Sequence, residues 1–340
     1  MNASRFSEIT GNYASLSVAV VGDFCLDRYL EIDPARAEES IETGLEVHNV
    51  VNVRSQPGGC GTILNNLVAL GCGRLLPVGF AGEDGEGYEL VRALGQAQGV
   101  SLGHFFQTPR RRTFTYCKPL VLAVGESPRE LNRLDSKNWT PTPGEVQERL
   151  AKSIARLAGE VDAMVILEQV DRPDTGVIAE QVLEALGQAQ EDYPDLLMLA
   201  DSRRGFSHFP NVALKMNRDE FAAMTGSPSG QSIDALGQAI EQLAAERGQA
   251  VFVSLSEEGI IGALPGGGAE HVSGLPCRGE IDIVGAGDAV MANLALALAS
   301  GAPAGESMHL AMAAASVVIH QLGTTGVASP GELAPLVVSD

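Results

Sequence analysis

The sequence is short of positive charge. It sets only 23 Lys and Arg against 43 Asp and Glu, a formal net charge of -20 at pH 7. That balance argues against a nucleic-acid partner, which normally needs a basic face, and against docking on an anionic membrane. An anionic small substrate stays open, provided backbone N–H groups, a few Arg or Lys, or a bound cation compensate locally. Long apolar runs are missing too. None reaches the ~20 residues that span a bilayer, and the N-terminal MNASRFSEITGNYASLS has no apolar core of a secretory signal. Cysteine is scarce: Cys25, Cys60, Cys72, Cys117 and Cys277 are odd in number and form no C-x-x-C pair. They read as free thiols in a reducing compartment. The six histidines show no ligand spacing. No internal repeat or low-complexity linker occurs. These absences together predict a cytoplasmic protein.

What is present is ordinary globular material: 340 residues, 45% hydrophobic and 19% charged, enough for a sizeable core. Val18 to Val21 reads as a first buried strand. From about residue 143 helix and strand patterns alternate. EVQERLAKSIARLAG precedes AMVILE and GVIAEQVLEALGQAQ precedes LLMLAD. ALKMN, a helix, VFVSLS and a hairpin around Gly266-Gly267-Gly268 follow. Such alternation predicts parallel strands with crossover helices, hence a three-layer α/β/α, doubly wound, mostly parallel sheet. LEVHNVVNV and TFTYCKPLV do not fit the alternation. They predict a small β lid, inserted at about 29–54 and 105–124 of one domain spanning 1–340. Beside the second segment lies Arg110-Arg111-Arg112, the densest basic cluster of the chain.

The chemistry concentrates in IDIVGAGDAVMANLALALASG, Ile281 to Gly301. A helix should begin near Gly287 or Asp288 and end before Gly301. Its first N–H groups lack partners, and its macrodipole is positive there. Glycines at 285 and 287 let a ligand approach the backbone, so the segment is an anion site. Asp288 beside it could take the proton of a hydroxyl attacking phosphorus. It could equally be a plain N-cap. A dinucleotide fingerprint fits less well, since Val290 stands where the third glycine would be, and no Walker A lysine follows a glycine-rich loop.

Taken with PGGCGTILNNLVALG, FAGEDGEG, KMNRDE and VSLSEEG, the D-x-x-GAGD string resembles the ribokinase-like (PfkB) carbohydrate kinase family over nearly the whole chain. GDFCLDRY and PGG are similar in flavour to its heptose-phosphate kinase branch. The resemblance implies an ATP-dependent sugar kinase with Mg²⁺ and a monovalent cation such as K⁺. It implies that Asp288 is the base and that Gly285, Ala286 and Gly287 form the anion hole. Asp27, Gly58, Gly59, Thr62 and Glu168 would bind the sugar. Asn217, Ser254, Ser256 and Gly259 would line the nucleotide site. Glu220 would hold Mg²⁺ through water, and Asp282 would sit near the monovalent cation. Thr62, Ser256 and Ile283 depart from the family's usual Asn, Gly and Thr or Pro. If the acceptor is a sugar phosphate, Arg111, or Arg110 with Arg112, is expected to contact its phosphate, and Arg203 and Arg204 are further candidates. A homodimer through the lid is expected. The alternatives are a nucleoside kinase of the same fold and a catalytically idle sugar or nucleotide sensor.

Overall fold

Buried residues on successive strand positions belong to two different apolar clusters, and these two faces set the architecture. Val18 and Val20 pack on one side with Val165 and Leu167, while Ala19 and Val21 pack on the other with Met164 and Ile166. Alternating side chains on strands buried on both faces require helices above and below. The computed structural model, which describes residues 1–228 and 230–338, has that form.

The chain opens with α1 (Ala3–Gly11) and β1 (Ser17–Gly22), which runs into β2 (Phe24–Ile32). A hairpin of β3 (Glu38–Glu39) and β4 (Glu46–Val47) leads to β5 (Val50–Gly59). Next come α2 (Cys60–Ala69), β6 (Arg74–Gly82), α3 (Gly85–Gln96) and β7 (Phe105–Thr108). Three further strands follow: β8 (Phe114–Val121), β9 (Arg129–Glu130) and β10 (Leu134–Ser136). The alternating half contains α4 (Gly144–Leu157), β11 (Ala163–Glu168), α5 (Glu180–Asp192), β12 (Leu197–Ser202) and β13 (Ala213–Asn217). It continues through α6 (Arg218–Thr225), α7 (Ile233–Arg247), β14 (Val251–Ser254), β15 (Ile260–Ala263) and β16 (Glu270–Val272). The last helices are α8 (Ala286–Ala299), α9 (Ala304–Val318) and α10 (Pro330–Val337).

The main sheet has nine strands in the order β16-β15-β14-β13-β12-β11-β1-β6-β7. Its strands are parallel except at the β14-β15-β16 edge. Helices α1, α2, α3, α8, α9 and α10 contribute to one apolar layer and α4, α5, α6 and α7 to the other. The strand order reverses between β1 and β11. In such sheets the crevice at that point, beyond the carboxyl ends of the strands, is where ligands bind.

A second sheet, β10-β8-β2-β5 with β9 alongside β8, rises over that crevice. It is the expected lid, with different bounds. The lid begins at Phe24 rather than 29, because β2 continues almost without a break from β1. Phe105–Thr108, expected in the lid, instead pairs in parallel with β6 at the edge of the main sheet. There Phe105 meets Phe24 edge-on, with ring centroids 5.2 Å apart. Among the described residues, no helix is long and apolar enough to cross a membrane.

Candidate active site

Gly285 is the N-cap of α8, in the left-handed region at φ 86°. A Cβ there would lie 2.6 Å from the Thr325 methyl carbon, so space as well as conformation requires glycine. From Ala289 to Ala297 the helix is buried on every side. It is wedged between α2 and α9, and that packing fixes where its N-terminus points. No side chain caps the helix. Asp288, three positions past Gly285, is therefore not the plain N-cap that the sequence left open. It sits half-buried in the first turn. Burial, and then the neighbouring Asp201, push its pKa up to about 7, against the pull of Lys215 and Arg203.

On the lid side, pairing places Asp27 of β2 opposite Gln56 of β5 and Tyr116 of β8. Two residues further, Tyr29 lies opposite Arg54 and Lys118 on the same face. Asp27 is 8% exposed. Its carboxylate fills the space a side chain at Gly58 would need, 2.6 Å from that missing Cβ. Gly59 has φ 59°, and a Cβ there would stand 2.5 Å from the Asp23 carbonyl oxygen. Thr62 is buried in the first turn of α2, with its methyl 3.6 Å from the Cβ position of Gly285. Gln56 hydrogen-bonds to Thr324 and Thr325, tying the lid to the loop over the start of α8. Burial raises the pKa of Asp27, while Lys118, Arg133 and Arg203 draw it down. Lys118 and Arg133 lie over the rings of Tyr29 and Tyr116. Three cations thus act on Asp27 in an otherwise acidic protein, Arg133 while paired with Asp135 at 2.6 Å.

On the opposite side, Asn217 and Glu220 form a capping box at the start of α6, with hydrogen bonds of 2.7 and 2.9 Å. One oxygen of Glu220 lies outside the box, and burial raises the pKa of the group. Ser254 closes β14, its hydroxyl donating to the Met216 carbonyl at 3.3 Å. Ser256 adopts φ 53°, which explains why glycine is usual at this turn in the family it resembles; a serine there carries strain of about 1 kcal/mol. Gly259 has φ 100°, and a Cβ there would lie 2.5 Å from the Gly274 nitrogen. Asp282 accepts the N–H of Val284 at 3.0 Å and shapes the entry to the glycine loop.

Two predicted site residues have their side chains engaged by other protein groups. Glu168 is 2% exposed, and both its oxygens are taken. Arg204 Nη1 donates to one at 2.6 Å, while Ser202 Oγ and His208 Nε2 meet the other. This also accounts for Arg204. A buried strand-end acid must be paired, and its protein partners come from the β12 exit. Arg111 is 6% exposed and donates to the carbonyls of Thr140 and Thr175, each at 2.8 Å. Residues 109–112 are a turn, so strand alternation does not apply to them. Arg110 pairs with Glu145, and Arg112 lies near Asp84 and Glu86.

Three residues without an assigned role in the sequence belong to the site. Asp23 accepts the N–H groups of Gln169, Val170 and Val177 and pins the β11 exit to the β1 exit. Lys215 and Asp201 form a buried pair at 2.6 Å. The sequence signal was a lysine inside the apolar strand ALKMN, which needs a buried partner.

The profile of the pfkB family of carbohydrate kinases matches residues 16–330. Bifunctional protein HldE of Trichlorobacter lovleyi is 30% identical over 322 residues, covering 94% of this chain and 62% of its own length. That of Rhodospirillum rubrum is 32% identical over 324 residues, with 94% and 62% covered. The chain therefore spans less than two thirds of these relatives. Arabidopsis thaliana ribokinase complexed with ribose and ATP superposes with a TM-score of 0.68 at 21% identity, covering 96% of this chain and 99% of that one. Escherichia coli phosphofructokinase-2 in complex with potassium gives 0.73 at 19%, covering 95% and 98%. With its fold, its crevice and this match in agreement, the chain belongs to the pfkB family of carbohydrate kinases, enzymes that transfer a phosphoryl group to an alcohol.

Proposed function

We propose that the protein is an ATP-dependent kinase whose acceptor is a phosphorylated sugar. The observation that carries the reading is Asp288. It is a carboxylate in the first turn of a helix that no side chain caps, its pKa raised to about 7, facing a lid that bears Asp27. In the reaction the acceptor hydroxyl gives its proton to Asp288 while its oxygen attacks the γ-phosphorus. The N–H groups at the start of α8 receive the developing negative charge. Asp27 orients the sugar. Lys118, Arg133 and Arg203, whose charges all act on Asp27, hold a phosphate already on the acceptor. That trio replaces Arg111 in the phosphate role. The heptose-phosphate flavour of the N-terminal motifs agrees with it.

Among the described residues no cluster of three or more His, Cys, Asp or Glu could hold a metal. Mg²⁺ fits nonetheless, because it is usually bound by one or two carboxylates plus phosphates and waters, and Glu220 has an oxygen outside its capping box. Bound there, it would neutralise charge on the nucleotide phosphates. A monovalent cation such as K⁺ would sit by Asp282. The nucleotide base would fit a cleft lined by Leu275, Pro276, Val317 and Leu336, next to the 278–282 segment anchored by Ile319 and His320 just past α9. Lid strand β5 is an edge strand with Val50, Val51 and Val53 exposed, the patch a second copy would cover in a homodimer.

The test is a coupled ADP-release assay over sugars, sugar phosphates and nucleosides. Turnover confined to sugar phosphates is expected. Turnover confined to nucleosides, or stabilisation by ligands without turnover, overturns the reading.

A further inference from the structure

The lid strand β5 is gripped from both faces at consecutive residues. Ser55, on the outer face, donates to Glu89 of α3 at 2.6 Å. Arg28, its partner across β2, reaches the same carboxylate at 2.8 Å. Gln56 points the other way, toward the crevice. It shares that face with Asp27, which lies opposite it in the register. Its carboxamide is used at both ends: Nε2 donates to Thr325 Oγ1, and Oε1 accepts from Thr324 Oγ1 at 3.2 Å.

The two threonines belong to a loop that is closed at its base and touches the start of α8 at its tip. Gln321 donates to the Val327 carbonyl at 2.9 Å and accepts the Val327 N–H at 3.0 Å. Asn66 of α2 donates to the Gly326 carbonyl at 3.4 Å. The Thr325 methyl carbon occupies the space that a Cβ of Gly285 would need, 2.6 Å from it. One side chain therefore meets the lid through its hydroxyl and the N-cap of α8 through its methyl. Among the described residues, the two bonds of Gln56 are the only hydrogen bonds between the lid and that loop.

Resting on the kinase reading above, we propose that Gln56 is a positioning residue: through Thr324 and Thr325 it sets Asp27 of the lid in register with the start of α8, so that the acceptor rather than water receives the phosphoryl group. The lid holds the acceptor and the helix start holds the phosphoryl group. The attacking oxygen reaches phosphorus only while the two are aligned, and a misplacement of about 1 Å costs on the order of 10²-fold in rate. Out of register, water fills the gap. A water oxygen then bonds to phosphorus in place of the acceptor oxygen, and its proton goes to Asp288. The bond from phosphorus to the bridging oxygen breaks, and its electron pair leaves with ADP.

The experiment follows ADP release and acceptor phosphorylation in parallel on the full chain, with the best acceptor of the panel and with none. Gln56→Ala should melt within about 3 °C of wild type and lose kcat for transfer by roughly 10- to 100-fold. KM for ATP should stay within about threefold. The share of ATP hydrolysed by water should rise about fivefold or more, because exclusion of water is what the closed site supplies. Thr325→Val keeps the branched shape and the methyl against Gly285 and removes only the hydroxyl. It should show the same two changes, and it decides the matter should Gln56→Ala fail to fold. Added to Gln56→Ala it should cost less than about threefold more, since both variants remove one contact. Single effects that multiply in the double variant overturn the proposal, as does an unchanged share of hydrolysis. A rise in acceptor KM alone, with Thr325→Val like wild type, makes Gln56 a plain acceptor contact and overturns it as well. All three results leave the kinase reading intact. A wild-type protein that phosphorylates no acceptor removes both.

Discussion

In the main sheet every residue of β11, from Ala163 to Glu168, is buried; in the lid, β5 exposes Val50 to Val53 and buries only its last three residues. The two sheets divide the work of the molecule. The main sheet is covered on both faces, so its interior positions are apolar and its polar residues are pushed to the strand ends, where Asp23, Asp201 and Asn217 meet the crevice. The lid has one face over the crevice and one toward solvent. It therefore carries charge along its length, with Asp27, Arg54 and Lys118 on one face. Stability belongs to the first sheet, and in the proposed reading recognition of the acceptor falls to the second.

The sharpest way to break this division is at the joint between them. Asp288→Asn should lower kcat by roughly 10²–10⁴-fold, the range for loss of a general base, while leaving the fold intact. The sign follows from the raised pKa. The wild type loses stability as pH rises through about 7, where the buried carboxyl must ionise. Asparagine has no such loss, so its melting temperature at pH 8 should equal or exceed that of wild type. Near wild-type turnover would remove Asp288 from the base role.

Within the main sheet, Leu199 is completely buried on β12. Leu199→Ala should destabilise by about 2–5 kcal/mol in denaturant unfolding, and a loss under 1 kcal/mol would show that the sheet is not the seat of stability. On the recognition side, Arg203→Ala or Lys118→Ala should raise KM for a phosphorylated acceptor about 10- to 150-fold, the equivalent of 1.5–3 kcal/mol for a charge-assisted hydrogen bond. KM for ATP should stay put. Arg111→Ala should do the reverse, lowering the melting temperature with acceptor KM unchanged, because its partners are backbone carbonyls. If Arg111→Ala changed only KM, the turn at 109–112 would have to open toward the crevice.

The pH profile sharpens the same contrast. With Asp288 near pKa 7, kcat/KM should fall about tenfold per unit below pH 7 and level above it. A limb near pH 4 would mean that burial does not raise this carboxyl in the free enzyme, or that another group is the base. The smallest effect belongs to the lid edge. Val53→Ala, at 44% exposure, should change stability by less than about 0.5 kcal/mol, and a larger loss in dilute solution would show that a second copy covers it.

Much of this was legible in the sequence because it is local. The strand at Val18 to Val21, the alternation after residue 143 and the helix from GAGD follow from periodicity and glycine placement. The glycines at 58, 59 and 285 are required by contacts that their spacing already suggested. What periodicity could not reach was the partner of each charged side chain. Arg111 and Arg203 are both arginines beside strand ends, yet one turns inward to carbonyls and the other acts on the crevice.

The sequence alone determined the layered α/β framework and the placing of an acid in the first turn of a glycine-led helix, because hydrophobic period and helix-end chemistry act over a few residues. Only the tertiary structure decided that Glu168 is paired with Arg204, that Lys215 is held by Asp201, and that Asp288, in the first turn of a helix no side chain caps, has a raised pKa. Burial and charge pairing are set by residues tens to hundreds of positions apart, and they take effect only once the chain has closed around them.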